Sequence, residues 1–369
     1  MTQEKSTKTL VYIGTYTGAR AHVAGKAEGI YVYQFDSVSG ALTPVSKATG
    51  IVNPSFLTID PQQRYLYAVS EVVEANGKPG GGVSAYAIDG KTGELTFLNE
   101  QSTRGTDPCY VSVDKTGQYL LVANYTSGSV GIYPILEDGQ LGALSDFVQH
   151  EGSSVNPQRQ QGPHAHSIVI DPANRYAFAP DLGMDKVVIY QLDLPNGKLL
   201  PNEPPFVQVA PGAGPRHFDF HPSRQYAYVL NEIGSTVTAF AYDEDRGALT
   251  EIQTVPTLPA DFTGNNGTAD LHVHPSGKFL YGSNRGHDSI AIFTIDESTG
   301  QLTVAGHEST QGKTPRNFAI DPTGHFLLAA NQNTDTIVTF QIDQQTGQLT
   351  PTGQIAPVPT PVCLKLITI

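Results

Sequence analysis

One unit recurs along this chain, and its spacing limits the folds open to it. An aspartate or histidine anchor opens a short polar turn, which leads into an aromatic and aliphatic strand that ends in a polar residue. The unit reads DPQQRYLYAVSE from Asp60, DKTGQYLLVANY from Asp114 and DPANRYAFAPDL from Asp171. It returns as HPSRQYAYVLNE from His221, HPSGKFLYGSNR from His274 and DPTGHFLLAANQ from Asp321. Successive anchors lie 54, 57, 50, 53 and 47 residues apart. An irregular period near fifty fits four-stranded propeller blades joined by loops of varying length.

A second unit follows each of these: an alternating strand, an acidic turn, then a GxLT-like strand start. GIYVYQFDSVSGALTPV, VSAYAIDGKTGELTFL and IAIFTIDESTGQLTVA are examples. Its turn glycines are Gly40, Gly93, Gly139, Gly197, Gly247, Gly300 and Gly347. They number seven, against six full copies of the first unit, and the chain ends resolve the mismatch. PVCLKLI at 361–367 matches PRNFAID, the strand before an anchor, and LVYIGTYTG at 10–18 matches the strand after one. The expectation is an all-β, seven-bladed β-propeller of four-stranded blades. It is closed by N- and C-terminal strands that share one blade, which removes open sheet edges. It spans residues 1–369 as one domain, with residues 1–8 a flexible tail.

Composition agrees: 37 glycines and 26 prolines suit a turn-rich β protein. The net charge of −13 speaks against nucleic acid as a partner, while a local arginine cluster would still admit small anions. Cys109 and Cys363 are too few for a disulfide framework. No apolar run reaches membrane-spanning length, and MTQEKSTKTL lacks a signal peptide's apolar stretch. A cytoplasmic protein, monomeric or weakly homo-oligomeric, with no membrane partner is expected.

The strand before each anchor is the inner strand of a blade, and the next strand returns from the anchor turn. The start of the first and the end of the second therefore share one rim. Five residues before the anchors stand Ser55, Cys109, His166, Arg216, Ala269 and Arg316. Four before stand Phe56, Tyr110, Ser167, His217, Asp270 and Asn317. The second strands end on Ser70–Glu71, Asn124–Tyr125, Asp181–Leu182, Asn231–Glu232, Asn284–Arg285 and Asn331–Gln332. The rim thus gathers His164, His166, Arg216, His217, Glu232, Arg285 and Arg316, and the long connections 146–163 and 256–270 enter it. Loops and strand ends over a rigid scaffold are where function usually sits. His221 and His274 read as turn residues replacing aspartate, Asn124 and Asn331 as turn supports, and His272 as a partner of Asp219.

With those residues placed, YIGTYT, GPHAHSIVIDP, GPRHFDFHP, YVLNE and GSNRGHDSIAIF together resemble the propeller-type lactonase family. That family contains bacterial 6-phosphogluconolactonases and fungal carboxymuconate-lactonizing enzymes, and the resemblance covers nearly the whole chain. It implies no metal or organic cofactor, and a histidine, arginine and glutamate at His166, Arg216 and Glu232. The expected activity is hydrolysis of 6-phospho-D-glucono-1,5-lactone, with a small anionic sugar lactone as partner. Glu232 or His166 would activate water and Arg216 would stabilise the oxyanion. Arg285 and Arg316, with His164 or His217, would hold the phosphate, and Asp181 and Asn284 would complete the binding rim. A lactonizing enzyme for carboxymuconate-type substrates and a non-catalytic binding platform are the alternatives.

Overall fold

The computed structural model describes residues 8–20, 23–75 and 78–369. Each copy of the sequence unit has become one antiparallel four-stranded sheet, and the seven sheets form seven blades. Blade 1 combines residues 9–49 with Pro361–Thr368, and blades 2 to 7 span 57–102, 108–149, 169–208, 215–256, 267–309 and 315–357. Within every blade the strand before the anchor is innermost, and the GxLT-like strand is outermost.

Closure follows the expected split. Pro361–Thr368 pairs antiparallel with Thr9–Thr15, in register from Thr9 opposite Thr368 to Gly14 opposite Cys363. Most of the tail expected at 1–8 lies outside the described residues. Lys8 does not behave as tail, since its N–H donates to the Ile369 carbonyl and its carbonyl accepts from the Ile369 N–H.

The anchors work as turn caps. Oδ1 of Asp60, Asp114 and Asp171 accepts the backbone N–H groups four and five residues on, at 2.6–2.8 Å. His221 and His274 replace this by accepting from the serine N–H two residues on, and their Nε2–H reaches across the seam to the carbonyls of Gly277 and Gly324. Both are structural, as their sequence positions suggest.

The seams between blades repeat one joint. Gly247 turns its hairpin at φ 60°, and a Cβ there would lie 2.5 Å from the Tyr176 ring of the preceding blade. The same contact joins Gly300 to Tyr226, Gly139 to Tyr65 and, across the closure, Gly40 to Phe326. Two residues beyond several of these rings a tyrosine hydroxyl donates to the glycine carbonyl, as from Tyr228 to Gly300 and Tyr281 to Gly347. The turn glycine is thus the socket for its neighbour, and Tyr228 and Tyr281 lie fully buried. Among the described residues no helix is long and apolar enough to cross a membrane.

Candidate active site

The inner strands do not enter the rim straight. Pairing slips between Pro108 and Tyr110, between Pro215 and His217, and between Pro315 and Asn317. Cys109, Arg216 and Arg316 are the extra residues of these bulges. A bulge re-aims the side chain it carries, and here all three line a common cavity of about 900 Å³. His166 enters the same cavity from blade 4, where the inner strand is reduced to Val169–Ile170 and a bridge between Ala165 and Asp181.

At the ends of the second strands a shift of one position decides which side chain faces the cavity. Glu71, Tyr125, Glu232, Arg285 and Gln332, the later residue in five of the six terminal pairs, line it. Asn124, Asp181, Asn231, Asn284 and Asn331, one residue earlier, are wholly buried and point away, because successive strand residues face opposite sides. The cavity therefore does not receive Asp181 and Asn284. Asp181 Oδ1 accepts from the N–H groups of His164 and Gly183, and Oδ2 bonds His150 Nδ1 at 2.6 Å. Asn284 holds the 256–270 connection through Thr257 and Asn266. Asn124 supports its own turn, as its sequence position suggests, by donating to the hydroxyl of its paired residue Ser129, whereas Asn331 donates to the Thr310 carbonyl outside its turn.

Glu232 is the centre of one side. Its Oε2 accepts from Arg216 Nη1 at 2.7 Å and lies 3.0 Å from Arg285 Nη2, and its Oε1 accepts from Arg159 Nη2 at 2.6 Å. Burial alone would raise the Glu232 carboxyl, but Arg285, Arg216, His166 and Arg159 hold it well below the usual carboxylate range. Burial lowers Arg285 to about 9, with Arg216 and Arg316 adding to the effect and Glu232 opposing it. Arg216 is fixed further by Nε donating to the Ala269 carbonyl at 2.7 Å. Its Nη1 also meets His166 Nε2. Arginine can only donate, so that histidine nitrogen accepts and its lone pair is engaged. Burial, with Arg216 and His217 nearby, keeps His166 well below its ordinary value and so neutral.

Glu71 is the centre of the other side. Its carboxylate accepts from the Tyr16 hydroxyl at 2.9 and 3.0 Å and from Ser55 Oγ. Burial raises the Glu71 carboxyl despite Arg316 and Arg20. Arg20, on the short hairpin Ala19–Arg20/Val23–Ala24, donates to the Glu71 carbonyl at 3.0 Å and pairs with Asp107. Between the two sides stands Arg316, its guanidinium 5.4 Å from the centre of the Tyr16 ring. No carboxylate among the described residues lies within ion-pair distance of it.

His164 and His217 are placed differently from the other expected residues. His164 stacks on Tyr125 at 4.7 Å, bonds the Tyr125 carbonyl, and stays outside the cavity lining. His217 lies beneath the cavity floor, bonded to Asp270 at 2.7 Å. His272 is closer to Asp270, at 3.1 Å, than to its expected partner Asp219, at 3.9 Å. Arg159, Arg20 and Glu71 are site residues that sequence reasoning did not single out. The 146–163 connection was the available signal for Arg159.

Five arginines (20, 159, 216, 285, 316) and three carboxylates (Glu71, Asp107, Glu232) line the cavity, an excess of two positive charges in a chain of net charge −13. Such a cavity selects a small anion.

Known proteins share this framework. A sequence model of the family described as "Lactonase, 7-bladed beta-propeller" matches residues 10–366. The chain is 41% identical over 315 residues to the 6-phosphogluconolactonase of Bacillus subtilis, covering 85% of this chain and 86% of that one. It is 36% identical to the 6-phosphogluconolactonase of Formosa agariphila, with 84% and 86% covered. Among solved structures, the periplasmic gluconolactonase of Pseudomonas aeruginosa superposes with a TM-score of 0.90 at 38% identity, with 98% and 99% covered.

Proposed function

Because this chain belongs to the seven-bladed β-propeller lactonase family, we propose that it hydrolyses a phosphorylated sugar lactone, 6-phospho-D-glucono-1,5-lactone, to the open acid. The observation that carries the phosphate part is Arg316: a guanidinium lining the cavity between two arginine–carboxylate clusters, with no carboxylate among the described residues within ion-pair distance. A phosphate or carboxylate accepts two parallel N–H bonds from such a group.

Ring opening builds negative charge on the carbonyl oxygen, then on the departing ring oxygen. Arg216 Nη2 and Arg285 Nη1 have no protein acceptor among the described residues, and both guanidinium groups are fixed by backbone carbonyls. They supply preorganised donors for the first charge. Glu232, ionised and held by three arginines, keeps that array in place. The hydrogen bonds of Glu232 and His166 favour this orienting role over removal of a proton from water, since the lone pair of His166 is taken and both carboxylate oxygens of Glu232 already accept from arginines.

The expected location is the cytoplasm and the expected state a monomer or weak homo-oligomer; cell fractionation and gel filtration check both. The test of the function is lactone hydrolysis measured above the spontaneous rate, with and without the 6-phosphate. Faster turnover of the phosphorylated lactone is expected. Absence of any acceleration on either lactone would leave the lactonizing enzyme and the binding platform as the readings.

A further inference from the structure

Below the main cavity, towards the central channel, the structure holds a small recess of about 10 Å³, room for about one water molecule. Glu71, Cys109, His166, Arg216 and Arg316 line both spaces, so the recess forms the floor of the site. His217 also lines it.

His217 and Asp270 occupy the same repeat position in adjacent blades, four residues before their anchors. The sheet geometry therefore brings them together at the channel wall. The Asp270 carboxylate is saturated with donors: His217 Nδ1 at 2.7 Å and the Leu271 N–H at 3.0 Å on Oδ1, and the Phe318 N–H at 3.1 Å, His272 Nε2 at 3.1 Å and Asn317 Nδ2 on Oδ2. It is held as an anion well below the carboxylate range: burial opposes this, but His272 and His217 outweigh it. Beside such an acceptor, His217 carries its proton on Nδ1. Burial lowers the His217 imidazole to about 4, in spite of Asp270, so the ring is neutral.

The consequence is at the other nitrogen. Nε2 of His217 has a lone pair and no hydrogen-bond partner among the described residues. The ring is aimed by edge contacts with Tyr110 at 5.4 Å, His166 at 5.5 Å and Phe56 at 5.8 Å. A neutral imidazole fixed at Nδ1 by a buried carboxylate, with Nε2 unbonded among the described residues and the ring lining a water-sized space, has the arrangement of a general base.

We propose that His217, oriented by Asp270, is the catalytic base that activates water from beneath the lactone. This rests on the lactonase reading above. In the step, Nε2 takes a proton from water as its oxygen bonds the lactone carbonyl carbon. The tetrahedral intermediate then breaks its bond to the ring oxygen. That oxygen receives the proton back from Nε2, leaving a hydroxy acid that ionises in solution.

The test compares wild type, His217→Gln and Asp270→Asn on the lactone the wild type turns over. Both variants are expected to lose roughly 10²–10⁴ in kcat with KM changed less than about threefold. In His217→Gly, added imidazole is expected to restore part of the rate, which a purely structural role would not produce. Nitrogen-15 spectra of the wild-type histidines should show His217 with Nδ1 protonated and Nε2 bare, a measurement that does not depend on any variant folding. A wild-type His217 protonated at Nε2, or a folded His217→Gln with full kcat, overturns the proposal while leaving the lactonase reading intact. A wild type that accelerates no lactone overturns both.

Discussion

Replacing Glu232 by glutamine should destabilise the fold, and the amount can be worked from the most exposed and the most buried of its three arginine partners. Arg159 is 43% exposed at its side chain and can turn into water once released, so its share is that of a surface pair, about 0–1 kcal/mol. Arg216 cannot leave. Its side chain is 4% exposed and its Nε is held by the Ala269 carbonyl. Removing the sole anion among the described residues within ion-pair distance of a buried cation costs about 3–5 kcal/mol, a large part of a total stability of about 5–15 kcal/mol. The chain has no tryptophan, so urea unfolding followed by circular dichroism is the suitable assay. Inorganic phosphate should recover more stability in Glu232→Gln than in the wild type, because an anion that binds only the folded state supplies the missing charge. The pH dependence has a fixed sign. The folded-state carboxyl lies below its unfolded value of about 4.3. Its contribution is therefore present above that value and lost as pH falls through the folded one. The gap between wild type and variant should be constant from about pH 8 to 5 and close in stronger acid. A variant within about 1 kcal/mol of the wild type at pH 7, with no greater response to phosphate, would refute the reasoning.

Other consequences can be measured as directly. Arg316→Ala should raise KM for the 6-phosphorylated lactone by about ten- to a hundredfold, the worth of a charged hydrogen bond of roughly 1.5–3 kcal/mol, and should leave the unphosphorylated lactone nearly unchanged; equal effects on both would remove Arg316 from phosphate recognition. Deleting residues 361–369 should abolish cooperative thermal unfolding, and a melt like that of the full chain would contradict the shared blade. Gly247→Ala should lower stability more than Gly353→Ala. Both glycines have positive φ, but a Cβ at 353 meets nothing within 4 Å while one at 247 strikes the Tyr176 ring. The difference, about 1–3 kcal/mol for overpacking, reads the worth of one blade seam by chemical denaturation.

The blade count was legible because each blade solves the same packing problem with the same residues: an anchor that caps a turn and a glycine that seats a neighbour's ring. Arg216, Glu232, His166, Arg285 and Arg316 were legible as exceptions to that repeat, and the cavity gathers all five. The grouping of Asp181 and Asn284 with them did not carry over: Asn284 faces away because its neighbour Arg285 faces the cavity, and Asp181 is taken up by His164, Gly183 and His150. Arg159 lies on a long connection between blades and Arg20 on a short hairpin inserted between two strands of blade 1, both outside the repeated units, so there was no register from which to place them. The pairing of His217 with Asp270 lay in the aligned columns, but which nitrogen it leaves open depends on three-dimensional contacts that spacing does not contain.

The shared blade also has a consequence in time. During synthesis Thr9–Thr15 leaves the ribosome early, with Gly29–Phe35 and Leu42–Thr49 close behind, while the strand that must lie on its inner side is Pro361–Thr368. At about 5–20 residues per second, these three strands wait for a time on the order of tens of seconds with one edge unsatisfied. Blades 2 to 7 can each assemble as they emerge. Arg316 in blade 7 and Tyr16 and Arg20 beside blade 1 are brought across from one another only when that last strand docks. The meeting of Arg316 with the Glu71 side of the cavity therefore waits for Pro361–Thr368 to dock, and a nascent chain stalled before residue 361 would display the arginines of blades 5 and 6 without a closed site.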